Sequence, residues 1–80
     1  NIFPNPAEAI IFVEAEALSC KKADIRIYDM EGKLMFQAKD QSATGKRLKI
    51  DVQRLAAGQY SLEVLLDKEI IRGSFAKMKS

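Results

Sequence analysis

Eighty residues, 48% hydrophobic and 30% charged, make one folded domain and do not fit the low-hydrophobicity, high-net-charge composition of disordered chains. Thirteen basic and eleven acidic residues leave a net charge of +2 with the signs interspersed, which argues against a nucleic-acid partner, and no apolar run approaches the roughly 20 residues of a membrane helix, so no membrane insertion is expected. Histidine is absent and cysteine occurs once, which removes the usual general base, the usual triad partner, zinc-type metal sites and any internal disulfide.

The chain opens on Phe3-Pro4-Asn5-Pro6-Ala7. The two prolines fix their own backbone angles, remove two amide donors and push Phe3 and Asn5 toward extended conformations, so this segment belongs along an edge. Residues 9–16 read as a strand in which Ile11, Val13 and Ala15 share one face, with Ile10 and Phe12 making the other face apolar as well. The same stretch, extended to residues 7–18, is rich in Ala and Glu and offers a helix as the competing reading, against which the run Ile10-Ile11-Phe12-Val13 weighs. Cys20, between Ser19 and Lys21-Lys22, reads as an incidental loop thiol with no assigned role.

Residues 24–29 place Ile25 and Ile27 inward, and residues 33–38 place Leu34 and Phe36 on one face with Met35 and Gln37 on the other. Between them, Asp29 can accept amide hydrogens across a tight turn while Gly32 supplies a positive φ, so the two runs form a central hairpin. Residues 39–46 lack an apolar period and read as an exposed, mobile connection. Residues 47–52 alternate cleanly, with Leu48, Ile50 and Val52 inward; residues 53–58 are a crossover whose Leu55 plugs the end of the fold. The longest strand is expected to run through Tyr60, Leu62, Val64 and Leu66, followed by a turn at Asp67-Lys68 and a last strand over residues 69–77 with Ile71, Gly73 and Phe75 inward. Gly58 two residues before Tyr60 matches the tyrosine corner of β-sandwiches, where a phenol bonds upstream backbone. Short alternating segments separated by turn residues predict an all-β, Ig-like or fibronectin-like antiparallel sandwich of six or seven strands spanning residues 1–80 as a single domain.

Catalytic chemistry finds no foothold. The carboxylates are scattered over strands and turns without a paired acid and base, and the four glycines stand alone, so no phosphate-cradling loop exists and no cofactor is expected. Function then falls to surface. Ile10, Phe12 and Met35 are candidates for an outward apolar patch, for which coverage by the domain's own loops is the simpler account. Arg47, Lys49, Lys77 and Lys79 are candidates for a basic stripe, for which a solvated strand face is the simpler account.

Taken together and in order, Pro4-Asn5-Pro6, then Tyr28, Asp29, Gly32 and Lys33, then Leu55, Gly58 and Tyr60, then Lys77 and Lys79 resemble the motifs of the type A C-terminal sorting domain of type IX secretion cargo, over nearly the whole chain. The resemblance implies a non-catalytic export signal whose partners are the outer-membrane type IX translocon, a surface sortase that usually removes the domain while joining the cargo to an anionic lipopolysaccharide, and an upstream cargo domain of the same chain. It also implies folding in the periplasm and delivery to the cell surface or the medium. No basic n-region and apolar h-region opens the chain, so it reads as a fragment whose signal peptide lies upstream, and Ser80 beyond the last lysine fits a natural C-terminus. The alternative is an Ig-like accessory module of a surface hydrolase or adhesin, a spacer or glycan binder, against which the absence of Trp weighs.

Overall fold

The structure, a computed structural model, describes residues 1–19 and 21–79, so the readings of Cys20 and Ser80 lie outside the described residues. Seven strands are formed: β1 (Ile2–Phe3), β2 (Ile10–Glu14), β3 (Lys22–Tyr28), β4 (Leu34–Ser42), β5 (Arg47–Asp51), β6 (Gly58–Leu65) and β7 (Ile70–Lys77). They make two antiparallel sheets, a three-stranded one in the order β1-β2-β5 and a four-stranded one in the order β4-β3-β6-β7. The expected all-β sandwich is the observed fold.

Alternation produces it. Ile11 and Val13 of β2, Ile25 and Ile27 of β3, Leu48 and Ile50 of β5, Leu62 and Val64 of β6 and Phe75 of β7 are all buried and face one another between the sheets. The intervening residues are solvated or half-buried, and apolar area removed from water at about 25 cal/mol per Å² is what holds the layers together. Among the described residues the chain forms no α-helix; residues 7–18 hold β2 and a single 3₁₀ turn, Glu16–Leu18, which buries Leu18 against the core.

Four expectations are corrected. Residues 39–46 are not an exposed loop: β4 continues to Ser42, the turn occupies only the residues before Arg47, and β4 rather than β6 is the longest strand. The cause is a bulge. Ala23 pairs with Gln41 and Ile25 with Ala38, so Lys39 and Asp40 together face Asp24, whose Oδ1 accepts the Asp40 amide hydrogen at 3.0 Å while Asp40 adopts φ 53°. An extra residue reverses the in-out phase, and a period-two pattern ends where the strand does not. A second register shift between Ile27 and Tyr28 leaves Leu34 exposed instead of sharing the half-buried face of Phe36. Finally, the β3–β4 hairpin is not central, since β4 is an edge strand; β3 and β6 occupy the middle of their sheet.

The two flanks of the sandwich differ. On one, β1 lies over β7: a Cβ on Gly73 would sit 2.5 Å from Ile2 Cδ1, so the glycine is what lets Ile2 seat on the strand. On the other, β5 and β4 are both free edges.

Candidate functional site

The registers gather the motif residues at one pole. Gly58, which opens β6, pairs with Lys77, which closes β7. Tyr28 pairs with Ser61, so the β3–β4 turn overhangs the start of β6, and the crossover of residues 52–57 returns from the end of β5 to the same pole. The N-terminal segment arrives there too, because β1 runs antiparallel to β2 toward the end where Ile10 pairs with Asp51.

Each group is fixed by local chemistry. Asn5 Oδ1 accepts the Ala76 amide hydrogen at 2.9 Å, the Ala7 amide donates to the Ala76 carbonyl at 2.8 Å, and the Met78 amide donates to the Ala7 carbonyl at 2.6 Å. The segment around Asn5 thus ties onto the edge of β7 through the amides its prolines still leave, with Ala7 buried and Pro4, Asn5 and Pro6 exposed. At the hairpin, Asp29 Oδ1 accepts the amides of Glu31 and Lys33, both at 2.9 Å, and Gly32 takes φ 84°, as the turn chemistry predicts. Tyr60 donates its phenol proton to the Ala56 carbonyl at 2.6 Å, so the tyrosine corner is formed, and its ring stacks on Phe75 at 5.7 Å. Leu55 is half-buried against the core, plugging the sandwich end.

Lys77 departs from expectation. It is only 4% exposed, because it continues the inward register of Phe75, and its Nζ donates to the Met78 carbonyl at 2.7 Å. Its stem is therefore packing, and the basic stripe of Arg47, Lys49, Lys77 and Lys79 does not exist: the first two lie on β5, at the opposite flank from β7, and only Lys79 of the tail pair is exposed. The candidate apolar patch of Ile10, Phe12 and Met35 is not one surface: Met35 sits on β4, while Phe12, in line with the simpler account of coverage by the domain itself, stacks on Phe3 at 5.6 Å beneath the Arg47 guanidinium, which lies 5.0 Å from the Phe3 ring and is held by Glu14 at 3.0 Å.

Ala7, Ala56, Phe75 and Ala76 complete the pole; Phe75 is inward as expected, while the bonding roles of the three alanines were not singled out by sequence. The alanines act through backbone or a small buried side chain, which leaves no periodic or motif signal. The pole's exposed side chains include Pro4, Pro6, Lys33 and Lys79, together with the large apolar Met30 and Met78. Among the described residues no cluster of His, Cys, Asp and Glu could hold a metal ion, and no helix is long and apolar enough to cross a membrane.

The family model described as secretion system C-terminal sorting domain matches residues 1–75, and the chain belongs to that family. No curated protein matches the chain.

Proposed function

We propose that this member of the sorting-domain family works as the folded type IX export signal of a larger cargo protein, and that the translocon reads the pole where the motif residues meet. The observation that carries the reading is that Gly58 pairs with Lys77, Asn5 bonds the neighbouring Ala76 and Tyr60 pairs with Phe75 two positions on, with the Asp29 turn at the same end of the same sheet. Tyr60 and Lys77 hold that pole from inside, and its exposed side chains, Pro4, Pro6, Met30, Lys33, Met78 and Lys79, are what a partner can touch. A surface sortase then removes the domain after its passage through the periplasm and the outer membrane.

The other pole suits attachment. Asn1 lies beside Glu14, whose amide donates to the Asn1 carbonyl at 2.8 Å, so cargo joined ahead of Asn1 leaves the sandwich away from the motif pole and does not shade it. The domain, taken as residues 1–80, contributes no catalysis in this reading.

Fusing the domain behind a periplasm-folded reporter in a host with type IX machinery tests it. The reporter is expected at the cell surface or in the medium. A reporter that stays periplasmic behind a demonstrably folded domain would refute the proposal.

A further inference from the structure

The three-stranded sheet is one strand short. With β1 seated over β7 and β5 the third strand in, the four-stranded sheet extends one strand further, and among the described residues no strand lies over the inner face of its edge strand β4. The consequence is a groove of about 860 Å³, floored by Phe36 and Ala38 of β4 and Ile25 of β3, walled by Ile50 of β5, and ended by Leu55. Phe36 and Ala38 face inward yet remain half-buried for want of a cover.

The wall also offers backbone. The Val52 amide donates to Ala9, and the Ala15 amide donates to Lys46, so even-numbered residues of β5 bond toward β2. By the alternation of an antiparallel ladder, the amide and carbonyl groups of Lys49 and Asp51 point the other way, into the open flank. Apolar floor and unpaired edge adjoin along the same groove, the arrangement that accepts an added strand.

We propose that this slot binds an extended segment of a partner protein, which pairs with β5 as the missing fourth strand, directs alternate apolar side chains onto Phe36 and Ala38, and carries carboxylates on its other face. The charge follows from the rim. Two cations, Lys49 and Arg54, border the slot against one carboxylate, Asp51, and neither cation has an ion-pair partner among the described residues, whereas Arg47 is held by Glu14. A cross-strand carboxylate beside Lys49 is favourable and a second cation is not. The slot does not depend on the export role, since it rests on sheet geometry alone.

The test is a titration of the isotope-labelled chain with a short synthetic peptide of alternating valine and glutamate, followed by amide NMR, with the valine–lysine peptide as control. The acidic peptide is expected to shift the amides of Lys49, Asp51, Phe36 and Ala38 and to slow hydrogen exchange at Lys49 and Asp51. Lys49→Glu with Arg54→Glu is expected to weaken it at least about tenfold and to make the basic peptide the better ligand. Ala38→Leu, which fills the floor without touching charge, is expected to abolish both, and unchanged amide dispersion shows that each variant folds. Shifts at the β7 edge instead, no shift at millimolar peptide, or indifference to charge reversal would overturn the proposal. Concentration-dependent protection of Lys49 and Asp51 without peptide would overturn it in favour of a second copy of the chain.

Discussion

Asn5 Oδ1 accepts the amide hydrogen of Ala76 across 71 positions of sequence, and this bond joins the first motif of the chain to the last strand. A side-chain acceptor takes the role of a strand neighbour's carbonyl beside two prolines, whose missing amide donors bar a regular ladder. Asn5→Ala is expected to destabilise the domain by about 0.5–1.5 kcal/mol, the net worth of one hydrogen bond, and Asn5→Asp, which keeps the acceptor, by less. Urea unfolding measures both, and hydrogen exchange at the Ala76 amide should quicken only in Asn5→Ala.

The two tail lysines separate cleanly. Lys77→Ala removes three buried methylenes and is expected to cost roughly 2 kcal/mol at about 0.8 kcal/mol each, whereas Lys77→Met keeps the stem and should recover most of it. Lys79→Ala, on an exposed side chain, is expected to stay within about 0.5 kcal/mol of the parent. Export assays on the same variants then distinguish roles: a deficit in Lys79→Ala at full stability marks a recognition contact, and a deficit in Lys77→Ala that vanishes in Lys77→Met marks a fold effect.

Tyr60→Phe deletes the phenol that donates to the Ala56 carbonyl and leaves the stack on Phe75 in place. Because Ala56 is exposed and its carbonyl can turn to water, a loss of about 0.5–1.5 kcal/mol is expected, the net worth of one hydrogen bond, with export falling only as far as the folded fraction falls. Full stability with abolished export would instead put Tyr60 on the recognition surface.

At the hairpin, Gly32→Ala meets open space but must hold φ 84°, so the expected cost of roughly 1–2 kcal/mol is purely conformational. Gly32→Asn should be milder, because Asn tolerates the left-handed region best among residues with a side chain. Thermal melts rank the three.

Gly73→Ala should displace β1 by pushing on Ile2 Cδ1, and Ile2→Val, which lacks that atom, should relieve the clash. The double mutant is accordingly expected to be more stable than the sum of the single effects, by roughly 0.5–1 kcal/mol in a double-mutant cycle.

The sequence by itself determined every element whose signal is local: the alternating runs of β2, β3, β5, β6 and β7, the Asp29–Gly32 turn, the edge placement of the proline segment and the tyrosine corner, each a matter of period two or of residues a few positions apart. Tertiary structure decided the rest. The bulge opposite Asp24 carried β4 through a stretch with no readable period, because one inserted residue reverses the phase on which the reading relies. Lys77 became core, since the inward register of β7 outlasts its apolar residues and a lysine stem can be buried when its ammonium group finds a carbonyl. The pairing of Asn5 with Ala76, the seat of Ile2 on Gly73 and the vacant place beside β5 follow from which strands neighbour one another, and strand order is fixed by packing between distant segments that no local pattern encodes.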